Sequence, residues 1–189
     1  MLRKLLFFSH FLALLLVLHH ILMQWVFDIG FQQSLLFWIK MIVVISGLLI
    51  AIRFFKTLKW RQFYFALYPL GVAIFSFGFM FRGILGGILM STIQYPIIAD
   101  EVAYQKENIT IYTKYTGFFS RCCTYRITAS YYKILEKEIG DFRTEGQDRL
   151  IVKSLKNTTT QLTVTFEDYL FDETLQELEL QDRVLVFDK

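Results

Sequence analysis

Residues Leu5 to Phe27, twenty-three in all, include no formally charged side chain, and Arg3-Lys4 stand directly before them. As a helix rising about 1.5 Å per residue, such a run covers roughly 34 Å, enough to cross a hydrocarbon core of about 30 Å. It resembles a signal peptide in its basic start and apolar centre. However, its apolar part is too long for one, and it ends in Gln24-Trp25-Val26-Phe27 rather than in small residues suited to cleavage. We therefore expect an uncleaved helix. Two more apolar stretches follow, Leu35 to Ile52 and Phe63 to Phe81.

Charge divides the chain at the same place as hydropathy. Residues 1–98 hold eight basic side chains and one acidic, Asp28, whereas residues 99–189 hold twelve basic and sixteen acidic. The halves therefore carry +7 and −4, and the overall +3 describes neither surface. Because the positive charges are not gathered on the soluble half, the basic balance gives no reason to expect a nucleic-acid partner. The expected organisation is a transmembrane helical domain over 1–98 and a soluble β-rich domain over 99–189.

Lysine and arginine bias sets the expected threading. The short loop from Arg53 to Arg61 contains four positive charges, and Arg3-Lys4 lie at the other end of the first helix. Both belong on the cytoplasmic side, and the turn from Asp28 to Ser34, acidic and without a basic residue, belongs outside. Trp25, Trp38 and Trp60 fall near segment ends, where indoles favour the headgroup layer.

Beyond Arg82 the chain stays apolar to Ile98. A fourth crossing would need a tight hairpin at Arg82-Gly83 and would leave only about 14 residues to span the bilayer. We expect instead three crossings, with this stretch extending the third helix outward and the C-terminal half extracytoplasmic. Gly83, Gly87 and Ser91 recur every four residues and form a candidate helix-packing face.

From Val102 onward the pattern turns to alternation. In Gln161-Leu-Thr-Val-Thr-Phe166 the apolar residues share one face. Segments 108–115, 121–128, 130–135, 149–155 and 183–187 also read as strands, separated by turn signals such as Gly140-Asp141 and Lys156-Asn157. Asp172 to Leu180 reads as one short helix capped by Asp172. The expected fold class is thus an α+β membrane protein, with three helices (four in the alternative threading) followed by a small antiparallel sheet or open barrel packed by that helix.

Candidate sites are few. Histidines 10, 19 and 20 all lie on the first helix, and Lys40 lies on the second. Counting inward from the Asp28–Ser34 turn brings Lys40 level with His20 and close to His19, with Ser76 of the third helix at the same depth. His19, His20, Lys40 and Ser76 are therefore a candidate intramembrane polar site, since ionisable groups in lipid are costly and mark function. The plainer reading lets Lys40 reach the headgroups while the histidines bond between helices. With every histidine on one helix, haem ligation is not expected, nor any other cofactor.

Cys122-Cys123 is the only cysteine pair and a candidate redox pair, flanked by Arg121 and Arg126. Adjacent strand residues face opposite ways, which favours two separate thiols. Glu167, Asp168, Asp172 and Glu173 form an acidic cluster without the spacing of a calcium loop. The soluble half has no histidine, no Cys-x-x-Cys and no glycine-rich phosphate loop, so no catalytic residue and no metal ligand is assigned. The expectation is a multi-pass, non-enzymatic protein of the bacterial inner membrane. It would present its β-domain to a protein partner, with oligomerisation open. The alternative is a small transport or ion-conducting subunit built on the His/Lys layer.

Overall fold

A computed structural model describes residues 1–57, 61–81, 83–115, 124–144, 150–172 and 177–188. The chain divides into two compact units, one of residues 1–27 with 31–99, the other of residues 28–30 with most of 100–189. Helices fill the first and antiparallel strands the second.

The helical unit contains α1 (Leu2–Phe27), α2 (Gln33–Phe54), α3 (Gln62–Met80) and α4 (Ile84–Gln94). The first three are long and apolar enough to cross a membrane. Their small core gathers Ile50, Ala51 and Phe65 against Leu6, Phe7, Tyr64 and Tyr68. Most of their other large apolar side chains face outward, among them Phe8, Leu15, Trp38, Ile52, Phe63 and Phe79. A helix apolar all round is a buried or bilayer helix, because water would solvate such a surface poorly.

α4 departs from the expected outward extension of α3. The chain is extended at Phe81, turns at Gly83 with φ of +108°, and begins a separate helix at Ile84. That φ favours glycine, which has no Cβ to clash there. α4 then folds back on α3. A Cβ on Gly86 would collide with the carbonyl oxygens of Gly78 and Phe81, and Leu89 and Met90 close over Gly78. The close approach is therefore made by Gly78 and Gly86. In the candidate stripe, by contrast, Gly83 belongs to the turn, and a Cβ there would meet nothing within 4 Å. Gly87 and Ser91 are half-buried, and Ser91 bonds within its own helix to Ile88. With 11 residues, α4 rises only about 16 Å, too short for a crossing.

The second unit is a sandwich of two sheets. One has the order β1-β5-β4-β3-β2, formed by Ile29–Phe31, Leu135–Arg143, Thr124–Tyr131, Ile109–Thr113 and Glu101–Lys106. The other has the order β6-β7-β8, formed by Val152–Asn157, Gln161–Asp172 and Glu177–Asp188. Alternation puts Ile109, Ile111, Tyr125, Ile127 and Phe142 of the first against Leu155, Leu162, Val164 and Phe166 of the second. The Phe142 ring bridges the layers, 5.3 Å from Tyr125 and 4.8 Å from Phe166 between centroids.

Of the helix expected over Asp172–Leu180, the described residues Asp172 and Glu177–Leu180 are strand, and residues 173–176 lie outside the described residues. β7 extends to Asp172 and β8 starts at Glu177, the two pairing in continuous register from Asp172↔Glu177 to Gln161↔Asp188. Pairing with a neighbouring strand has overridden the helical preference of Leu, Glu and Gln. Sheet packs on sheet, and among the described residues of this unit there is no helix to cover either. The segment 130–135 is likewise two pieces, the end of β4 and the start of β5 with a turn between them.

Candidate functional site

The helical unit is tied together by one buried polar cluster. His10 of α1 is 0% exposed. Its Nδ1 lies 3.0 Å from Ser46 Oγ on α2, and its Nε2 lies 2.8 Å from the Tyr64 hydroxyl and 3.3 Å from that of Tyr68, both on α3. The two tyrosine oxygens are 2.9 Å apart. Ser46 also donates to the Ile42 carbonyl one turn back. Tyr64 and Tyr68 share one face of α3 at i and i+4, and the absent side chain of Gly47 lets the Tyr68 ring lie against α2. Polar groups in an apolar setting must pair with one another, and here both imidazole nitrogens have partners.

The residues grouped by depth from the sequence are not brought together. His20 is buried, and its Nδ1 accepts the Phe31 N–H at 2.9 Å while its ring stacks on Phe31. It thus helps fasten the turn between α1 and α2. His19 and Ser76 are exposed on the outer faces of α1 and α3. Lys40 is half-buried and lines a cavity of about 570 Å³. Leu14, Val44, Gly71 and Phe75 form part of its wall, and Gln94 and Ile97, at and just beyond the end of α4, form another. The polar atoms on this cavity are few, and among the described residues Lys40 is its one charged side chain.

Sequence reasoning missed the His10 cluster because it looked for charged neighbours at the outer end of the helices. The available signal was uncharged: the Tyr64-x-x-x-Tyr68 pair on an otherwise apolar helix, with Ser46 facing it from α2.

No known protein family, characterised protein or solved structure matches this chain.

The β-sandwich has a second polar cluster, on the outer face of the five-stranded sheet. β3 and β4 pair so that Tyr112 stands opposite Arg126 and Thr110 opposite Thr128. All four are buried, as is Glu136. Arg126 Nη2 donates to Asp100 Oδ2 at 2.6 Å, Nη1 lies 3.9 Å from Glu138, and the guanidinium lies over the Tyr112 ring. The Tyr112 hydroxyl donates to Glu136 Oε1 at 2.6 Å. Burial pushes the Glu136 carboxyl above its usual range, while bonds from Tyr112 and Thr128 and the charge of Arg126 pull it partly back. Tyr112 is pushed up as well, chiefly by burial and by its bond to Glu136.

A carboxyl whose folded-state affinity for the proton is raised stabilises the fold fully only below its unfolded value, here near 4.5, and loses that contribution as pH rises through the folded value. Glu136→Gln keeps the acceptor for Tyr112 without the charge. Amide exchange over β4 and β5 should then be slower than in the wild type at neutral pH. The difference should shrink steadily on acidification toward 4.5. Equal exchange across that range would show that the carboxylate bears no such burden.

Cys122 and Cys123, with Arg121, lie outside the described residues. Of the acidic cluster, Asp168 is fully buried and bonded to Arg183 at 3.2 Å. Glu167 pairs with Lys153 at 3.1 Å, and Glu173 lies outside the described residues. Among the described residues no group of three His, Cys, Asp or Glu side chains is arranged to hold a metal ion.

Proposed function

We propose that this is an integral membrane protein with three crossings and a cytoplasmic N-terminus, which holds its β-sandwich on the outer surface to bind a protein partner without catalysis. One observation carries the sidedness. Residues 28–30, the connection between α1 and α2, belong to the folded unit of the C-terminal half, where the Asp28 carbonyl accepts the Glu138 N–H at 2.8 Å. Chain segments within one water-soluble fold share one side of a bilayer. The α1–α2 turn is acidic and the α2–α3 loop carries four positive charges, so the basic loop faces the cytoplasm and the sandwich faces away from it.

The partner surface is β8, the edge strand of the three-stranded sheet among the described residues. β8 is a 12-residue edge strand, and Leu180, Val184 and Val186 on its outward face are each about half exposed. Long edges with apolar side chains invite pairing with another chain. A C-terminal fusion to alkaline phosphatase should be active, and one to a cytoplasm-dependent fluorescent protein dark. In the same cells, Val184→Lys with Val186→Lys should cut crosslinked partner to background while leaving membrane insertion intact. A bright fluorescent fusion would overturn the sidedness, and undiminished capture would overturn the choice of surface.

The transport alternative draws less support. The polar groups that meet inside the helical unit are His10, Ser46, Tyr64 and Tyr68, bonded to one another as a tie between helices.

A further inference from the structure

β8 borders more than a sheet edge. Residues 183–187 of β8 and 141–143 of β5, a strand of the opposite sheet, enclose a pocket of about 350 Å³. Phe142, Leu185 and Phe187 supply carbon to its wall, and the Phe187 ring lies where a side chain on Gly140 would stand. Two guanidiniums, Arg143 and Arg183, line the same pocket.

The charges there do not cancel. Arg183 is held by Asp168, a fully buried carboxylate 3.2 Å away, yet its own side chain is 40% exposed. A guanidinium offers five N–H donors, so this bond fixes its position without exhausting it. Asp141 also lines the pocket, but Lys114 lies 3.4 Å from its carboxylate. Asp182, next along β8, is bonded by Lys153. Arg143 is exposed and, among the described residues, has no acidic partner. The pocket therefore keeps a net positive charge beside a carbon wall.

Strand geometry says what would reach it. Val184 and Val186 are exposed, whereas Leu185 and Phe187 pack against the core. A segment pairing with β8 repeats this alternation, so every second side chain turns toward the gap between the sheets. Level with residues 183–187, such a side chain meets Arg143 and Arg183. The pocket lies within the length of β8 rather than beyond its end, which suits a residue inside the added segment.

We infer that β8 takes up an extended segment of the partner protein and that the pocket receives an acidic side chain from it, held by the two arginines. Main-chain bonds along the edge supply affinity, and the carboxylate sets which segment is accepted and in what register. The inference rests on β8 as the partner surface, yet the two fail separately.

The test uses the full-length protein in a neutral detergent and three short peptides, acetylated, amidated and dye-labelled. Each alternates valine and threonine around a central glutamate, glutamine or lysine. Fluorescence anisotropy should rank glutamate about fivefold tighter than glutamine, the upper end for an exposed ion pair, with lysine weakest. Arg143→Gln should erase that preference and leave the glutamine peptide bound as before. Arg183 is the poorer target, because its loss would leave buried Asp168 without a counter-ion. Val184→Lys with Val186→Lys should weaken all three peptides. Failure of the wild type to bind any peptide would remove β8 as the surface, and this site with it. Equal affinity for glutamate and glutamine, or an undiminished preference in Arg143→Gln, would remove the pocket alone. A complex of doubled mass that the two lysines disperse would give the edge to a second copy of the chain and overturn the acidic segment.

Discussion

Replacing Arg126 by methionine should destabilise the β-sandwich by about 3–5 kcal/mol, the range for deleting one member of a buried ion pair. The guanidinium bonds Asp100 and lies 3.9 Å from Glu138, and its side chain is 9% exposed beside an Asp100 that is 16% exposed. Methionine fills much of the volume but leaves Asp100 desolvated without its counter-ion. Asp100 also accepts the Tyr115 N–H at 3.2 Å, so its relaxation would loosen the backbone beyond β3. Hydrogen exchange suits the measurement, because all three tryptophans lie in residues 1–98 and report poorly on this unit. Exchange should rise throughout β2 to β5, whereas Lys114→Met, which breaks an exposed pair with Asp141, should change it little. Similar exchange in both variants would mean that the buried pair contributes no more than the exposed one.

Gly86→Leu should have the largest effect in the helical unit. The atoms facing a Cβ at this position are backbone carbonyl oxygens of Gly78 and Phe81, which cannot swing aside as a side chain would. Overpacking of well-fitted sites costs about 1–3 kcal/mol, and a backbone obstacle sets this case at the upper end or beyond. α4 should separate from α3, seen as a lowered melting temperature in detergent and new protease cleavage within 84–94. Gly71→Leu, a change of the same size into open space, should melt close to the wild type. If the two variants melt together, close contact between α3 and α4 is not what holds this helix.

The helical half was legible because its signal is compositional. An uncharged run of Leu, Phe, Ile and Val states its own length, and α1, α2 and α3 begin and end within three residues of the apolar segments read from the chain. Where interactions depend on partners remote in sequence, reading failed. Glu177 to Leu180 has helical composition, and only pairing with β7 makes it a strand. Strand β1 is three residues long, too short for any periodicity to register. The return of α4 was hidden because Gly83 and Gly87 drew attention as a stripe, while the working contact at Gly86 depends on a turn that spacing alone does not reveal. His10 illustrates the same point. Its partners are 36, 54 and 58 residues away, and hydroxyl groups give no warning in a charge count.

The strand borrowed from the α1–α2 connection has a consequence for the life of the chain. Residues 28–30 leave the ribosome more than a hundred residues before β5, so the five-stranded sheet closes only once β5 has been made. Long-range closures of this kind are slow and leave strand edges bare in the interval. A fragment starting at residue 99 never receives that strand at all. It would expose the outer edge of β5 permanently, and two such fragments would have reason to zip together there.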